Sequence, residues 1–235
     1  MSGARARLEG LGETVEYNFN FAVVQQNWGY LASGLGTTLL VTACSLAGGL
    51  VIGLIVGVIR LSRRPYIAAI GWAYVLVLRN TPALVQLIWV YYCLPILTGL
   101  ELNTITSCIV ALALHCGAYV GEIVRGGILG VDIGQVEAGR TIGMSHFQVL
   151  RKIVLPQAIR RMLAPLVNEA VTILKFSALV SVLGVADLMY QAQTLATTTF
   201  RPLEIFTFVA LEYLILCVIC SSFATILERR FAKAD

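Results

Sequence analysis

"VEAGRTIGMSHFQVLRKIVLPQA", residues 136–158, is out of character with the chain around it. Arg140, Arg151 and Lys152 crowd a segment that lacks the long apolar run of a membrane span. Asp132 stands three residues before Gln135, and Ser145 three before Gln148. In each pair the first side chain can take an orphan backbone N–H at a helix start while the later residue reaches back. The spacing predicts two short helices, one over about 133–142 and one from Ser145 onward. Gly143 falls between them, where a positive φ meets little steric resistance. On the second helix Phe147, Leu150 and Val154 form an apolar stripe, and Pro156 is expected to limit it.

The surroundings of this segment are greasy. Of 235 residues 58% are hydrophobic and only 13% charged, with a mean hydropathy of +0.82. Soluble domains carry about one quarter charged residues, so the chain reads as an integral membrane protein. A span needs about 20 mainly apolar residues to cross about 30 Å of hydrocarbon. Five runs qualify, at about 31–59, 66–97, 104–129, 163–189 and 203–227. The second is long and interrupted by Arg79-Asn80-Thr81-Pro82. The expectation is an all-α polytopic protein of five transmembrane helices, with the basic segment 132–156 between the third and fourth. Residues 1–30 read as an external lead, 31–230 as the membrane domain and 231–235 as a tail.

The basic residues orient the chain, because Lys and Arg collect on the cytoplasmic side. Twelve of the 17 fall on one side of a five-span arrangement: Arg60, Arg63, Arg64, Arg125, Arg140, Arg151, Lys152, Arg160, Arg161, Arg229, Arg230 and Lys233. Arg5, Arg7 and Arg201 fall on the other. The segment 132–156 and the C-terminus are therefore expected in the cytoplasm and the N-terminus outside. The lead "YNFNFAVVQQNWGY", 17–30, suits the outer interface as an aromatic helix or strap. It shows no cleavable signal peptide pattern.

Six cysteines, Cys44, Cys93, Cys108, Cys116, Cys217 and Cys220, lie in or beside apolar runs without metal-ligand spacing and read as small packing residues. Small residues also recur every four positions, at Gly49, Gly53 and Gly57 in the first span and Ala113, Gly117 and Gly121 in the third. Lipid gives helices no hydrophobic reason to associate, so close approach through small residues supplies van der Waals contact.

The central segment carries a sharper pattern. Glu137-Ala138-Gly139, three residues, Gly143, nine residues and Ile153-Val154-Leu155-Pro156 closely resembles the EAA loop of ABC-importer permeases. Gly139 is a small-for-small departure in the third motif position. "LRNTPALVQLIWVYYCLP" (78–95), "AYVGEIVRGGI" (118–128), "LVSVLGVADL" (179–188) and "GLGTTLLVT" near the first span are similar to the polar amino-acid branch of that family. The resemblance covers roughly residues 17–230. It implies a permease subunit of the bacterial inner membrane that pairs with a second permease, identical or related. A periplasmic binding protein would deliver substrate, polar or charged amino acids or derivatives such as opines or osmolytes.

The resemblance further implies a separate cytoplasmic ATPase, two copies per complex, carrying ATP and Mg. This chain has no G-x-x-x-x-G-K-[ST] phosphate loop and is expected to hold no cofactor or metal and no nucleic acid. Glu137, Ala138, Gly139, Gly143, Ile153, Leu155 and Pro156 would shape the joint with the ATPase. Small side chains at 138 and 139 would let that helix approach the partner closely.

Ionisable groups within spans are costly and usually face a bundle interior or a pathway. Arg79, Glu122, Glu169, Lys175 and Glu212 stand out, with His115 read as a satisfied buried histidine. Arg79 and Asn80 precede Thr81-Pro82, and a helix break within a membrane frees backbone groups for substrate. Glu122 and Arg125 are spaced to pair along one helix face. Glu169 and Lys175 sit about 240° apart around one helix, so each needs another partner. Phe176 follows Lys175 where the family usually has a polar residue. Arg79, Asn80, Thr81, Pro82, Glu122, Glu169 and Lys175 are the candidate path residues. A self-sufficient secondary carrier is disfavoured by the lack of an internal repeat, and a membrane enzyme by the lack of HExxH or GxSxG.

Overall fold

A computed structural model describes residues 4–7 and 14–232, with side chains from Asn18 to Ser222. The side chains of Arg229 and Arg230, and residues 233–235 of the expected tail, lie outside the described residues. The body is all-helical. Outside it Ala4–Arg7 (β1) and Thr14–Tyr17 (β2) pair as an antiparallel ribbon, so the lead is part strand and part strap. A short helix, α1 (Ala22–Gln26), then feeds directly into α2 (Trp28–Arg60). The strap is pinned at the far end of the chain: Asn20 N–H donates to Glu204 Oε1 at 2.9 Å, and Arg201 reaches the Asn18 carbonyl.

Four helical stretches among the described residues are long and apolar enough to cross a bilayer: Trp28–Arg60, Thr104–Leu129, His146–Leu183 and Pro202–Ser222. The helices α3 (Pro65–Arg79) and α4 (Ala83–Thr98) form a fifth, bent by 106° at their junction. Sequence reasoning places an interruption there, and the local chemistry explains it. Pro65 opens α3 with its ring inside the first turn, where a backbone donor is not needed. Pro82 cannot donate backward and sits extended, at φ −60° and ψ 137°, as the N-cap of α4.

The seam between α2 and α5 (Thr104–Leu129) is the densest part of the fold. Built Cβ atoms on Gly49, Gly53 and Gly57 would lie 2.5, 2.4 and 2.7 Å from Cys116, Val120 and Val124. From the other side, Gly117 and Gly121 receive Ile52 and Val56 at 2.6 and 2.9 Å. The small residues of one helix thus accept the branched side chains of the other, as ridges do in grooves.

The segment expected as one fourth span, 163–189, is divided differently. A rod runs from α7 (His146–Val149) through a π turn (Leu150–Val154) into α8 (Leu155–Phe176) and a 3₁₀ turn (Ser177–Leu183). Gly184, at φ +76°, stops it. A separate helix, α9 (Leu188–Thr199), starts at Asp187, whose Oδ1 accepts the Tyr190 N–H at 2.9 Å. It packs on the first half of α2, where Leu188 N–H donates to Thr38 Oγ1. The last helix, α10 (Pro202–Ala232), closes the bundle. Pro156 does not limit its helix as expected. The wider π turn precedes it, so its missing N–H falls in the first turn of α8.

Candidate functional site

The segment between α5 and α8 is a helix–turn–helix built from local rules. Asp132 caps α6 (Ile133–Thr141) through Gly134 N–H at 2.6 Å. Gln135 does not complete the cap; it accepts instead from Gln157 on α8. At the other end Met144 N–H donates to the Gly139 carbonyl at 3.1 Å and Gly143 N–H to the Arg140 carbonyl at 2.9 Å. That pair of bonds is a Schellman ending, and it requires the left-handed φ of +82° found at Gly143. Ser145 and Gln148 then form a complete capping box, at 2.8 and 3.3 Å.

The faces of this unit differ from those expected. Gly139 is buried inside it, where a Cβ would meet Ile153 at 2.7 Å and Val149 at 3.3 Å. Its smallness brings the two helices of the segment together and presents nothing to a partner. Ala138 and Glu137 are exposed on the outer face. The expected stripe is split: Val154 is buried and Leu150 half-buried, while Phe147 turns outward at 65% exposure. Ile142, 78% exposed, stands with it at the tip. Neither residue was singled out as a contact in the sequence, because exposure depends on which face the packed segment turns inward. Ile153 is half-buried beneath Gly139, and Leu155 and Pro156 are at the surface.

Two of the candidate charges, Arg79 and Glu122, come together with two flanking arginines. The Glu122 carboxylate meets Arg60 from the end of α2, Arg79 from the end of α3 at 3.7 Å and Arg125 from its own helix at 3.4 Å. The expected Glu122–Arg125 pair is therefore one edge of a four-residue cluster. Arg60 was counted in the sequence only as a flanking cation. Arg79 also lies over the Tyr119 ring, 5.0 Å from its centroid. A cavity of about 410 Å³ opens here, lined by Arg60, Trp72, Arg79, Asn80, Tyr119 and Glu122 with Val75 and Leu76. Three guanidinium groups face one carboxylate, so the site has positive charge in excess for an anionic group.

The break itself is stapled. Asn80 and Thr81 side chains donate back to the Leu76 and Val77 carbonyls, which caps the end of α3. Gln86 Nε2 reaches Leu78 O, Thr81 O and Thr81 Oγ1 at 2.7 to 2.9 Å. Its Oε1 lies 3.1 Å from His115 Nδ1, between the rings of Tyr119 and Phe176. His115 is thus a partnered core group, as read from the sequence. Gln86 went unnoticed there; a glutamine four residues after a span-breaking proline was its only signal.

Other candidates stand apart. Glu169 is buried on α8 with Oε1 unpartnered, and Glu212 has its Oε2 in the same condition. Lys175 is exposed and lines a separate, apolar cavity of about 300 Å³ with Tyr213 and Cys217. The structure joins Arg79 to Glu122 and leaves Lys175 outside that cluster.

Comparison with known proteins agrees with this architecture. The family described as the binding-protein-dependent transport system inner membrane component matches residues 49–233. The chain is 38% identical over 201 residues to the glutamine transport system permease protein GlnP of Escherichia coli strain K12, covering 85% of this chain and 92% of that one. It is 33% identical over 219 residues to the arginine transport system permease protein ArtQ of Bacillus subtilis strain 168, covering 93% and 100%. Among solved structures it is similar to a subunit of an amino acid ABC transporter crystallised with histidines, at 36% identity and a TM-score of 0.85, covering 91% and 100%. A subunit of the MetNI methionine ABC transporter, at 23% identity and a TM-score of 0.75, shares the fold. With the bent span, the glycine seam and the helix–turn–helix all in place, the chain belongs to the family of inner membrane components of binding-protein-dependent transport systems.

Proposed function

We propose that this chain is the membrane-spanning permease subunit of an ATP-driven importer that moves amino acids, polar or charged, from an external solute-binding protein into the cytoplasm. The basic end, carrying Arg60 and the 132–156 segment, faces the cytoplasm, and the strap at residues 18–27 faces outward. Similarity to glutamine and arginine permeases supports the substrate class. Hydrolysis belongs to two copies of a separate ATPase, each holding ATP and Mg, and a second permease completes the bundle.

One observation carries the coupling role. The helix–turn–helix is internally tied at both caps and yet exposes Ile142 and Phe147 at its tip. Such a unit moves as a rigid lever, so closure of an ATPase groove around the tip shifts α5 and α8 together. Exposed Glu137 and Ala138 flank the groove, while Gly139, Gly143 and Ile153 keep the lever's shape. Leu155 and Pro156 begin the rod that transmits it. In the membrane, the cavity at Arg79 and Glu122 lies beside the broken span, with Asn80, Thr81 and Pro82 holding the break open. An amino acid's carboxylate suits its surplus of guanidinium charge. Glu169, buried with Oε1 unpartnered, is the remaining acidic path residue that could take the ammonium group.

The test is uptake into liposomes containing the permease, its ATPase and the binding protein. ATP-dependent entry of labelled glutamine or arginine, competed by amino acids more strongly than by an opine or a betaine, is the expected result. Accumulation without nucleotide would instead identify a self-sufficient carrier.

A further inference from the structure

Lys175 sits far from the outer end of its rod. Leu183 closes that rod about 15 Å further on by helix rise, and Tyr213, which lines the same cavity, is about 16 Å into α10 from Pro202. Half the hydrocarbon thickness of a bilayer is also about 15 Å, so both helices put this cavity near the midplane.

The surface there is unlike a lipid face. Between Met162 and Ser181 the exposed residues are Pro165, Asn168 and Lys175, and none is large and apolar. Asn168, half-buried Thr172 and Lys175 recur at i, i+4 and i+7, which sets them in one polar stripe along α8. Outward faces elsewhere differ: α2 exposes Val51, Leu54 and Val58, and α10 exposes Leu211, Ile215 and Val218. A charge turned to lipid at that depth is costly, so the stripe faces water or protein.

Charge decides what it meets. Lys175 makes no ion pair among the described residues, and no Asp or Glu lines its cavity of about 300 Å³. Glu212 stands beside Tyr213 in the chain but is not part of the lining. Glu169, on the same helix as Lys175, is buried about 240° around from it. Ala178 and Ala210 keep the cavity open, and Leu214 and Cys217 give it an apolar wall suited to methylene groups. A neutral zwitterion carries its own counter-charge and leaves the Lys175 ammonium uncompensated. A cationic amino acid adds to the excess, and a net anion cancels it. The Arg79 cavity has a surplus of the same sign, with three guanidinium groups to one carboxylate.

We propose that Lys175 selects cargo by charge: the α8 stripe borders the path, and Lys175 receives the side-chain carboxylate of an acidic amino acid. This rests on the transport reading and narrows its cargo from polar or charged amino acids to acidic ones. An uncompensated cation in a narrow cleft raises the local concentration of anions about tenfold or more.

The experiment uses the complex of permease and ATPase in nanodiscs, with radiolabelled glutamate, glutamine and arginine as probes. Glutamate and glutamine differ in charge at nearly constant shape, so the ratio of their Kd values isolates the electrostatic part. Wild type is expected to bind glutamate on the order of tenfold more tightly than glutamine, and arginine least. Lys175→Gln should bring the ratio of glutamate to glutamine affinity near one, Lys175→Arg should keep it, and Lys175→Glu should turn the preference toward arginine. An unchanged ratio in Lys175→Gln, or a wild type that binds glutamate no better than glutamine, overturns the proposal. So does an equal loss of all three ligands with separation of the permease pair on size-exclusion chromatography, which assigns Lys175 to a carboxylate of the second permease. Equal affinities alongside nucleotide-dependent uptake defeat the cargo assignment alone. Accumulation without nucleotide defeats the transport reading and leaves the binding ratios standing.

Discussion

Gly53 and Gly143 are the same residue kept for opposite reasons. At Gly53 the backbone is ordinary helix and the space is gone: a Cβ would lie 2.4 Å from Val120. At Gly143 nothing stands within 4 Å of that position, but φ is +82°. The α2–α5 seam therefore fails through volume and the coupling segment through conformation. One is the rigid body of the bundle and the other a shaped joint on its surface, so damage to them should appear in different measurements.

The largest effect is expected at the seam. Gly53→Val drives three added carbons into Val120 and should cost about 3 kcal/mol or more, since overpacking a tight interface forces backbone shifts. Loss of monodisperse protein and a lower unfolding temperature in detergent would register it; a wild-type melting curve would show that the two helices do not pack as described. Next comes the charge cluster. Glu122→Gln leaves Arg60, Arg79 and Arg125 facing one another without their carboxylate, at a cost of about 2 kcal/mol given its partial exposure. Thermal stability should fall, with uptake falling further than ATPase binding.

Gly143→Val should cost about 1–3 kcal/mol locally through its left-handed backbone while leaving the membrane bundle folded. Its signature is a split: normal expression and melting, but ATP hydrolysis no longer matched by uptake. Gly143→Asn, which tolerates that conformation, should restore much of the coupling. Gln86→Leu removes the staple across the break and should cost about 1–2 kcal/mol, read as faster protease cleavage or hydrogen exchange at residues 78–82. The smallest effect belongs to Gly126→Ala. Nothing lies within 4 Å of its Cβ position and the backbone is helical, so the change should be neutral or stabilising by about 0.5–1 kcal/mol. A marked loss there would erase the distinction between glycines kept for space and glycines kept for φ.

These contrasts also show which parts of the molecule can be read without a structure. The capping box at Ser145–Gln148, the turn at Gly143 and the break before Pro82 are legible because each depends on residues within about one helical turn. The four-residue spacing of Gly49, Gly53 and Gly57 likewise marks a packing face before its partner is known. Asp132 shows the boundary of this reasoning. Its cap forms locally, but Gln135 leaves the expected box for Gln157, a residue 22 positions away. Similarly, Pro156 looked like a terminus until the preceding π turn placed it in the first turn of a new helix.

By itself the sequence determined a membrane bundle of apolar helices, its basic end, a jointed segment and the small-residue faces, because hydropathy, capping and backbone freedom act on neighbours along the chain. Only the tertiary structure decided that Arg60 and Arg79 converge on Glu122, that Gly139 turns inward while Ile142 and Phe147 turn out, and that the fourth span stops at Gly184 to let α9 pack on α2. Those outcomes depend on how separate helices cross, and a pairing between residues 60 and 122 leaves no periodic trace in the stretch that holds either one.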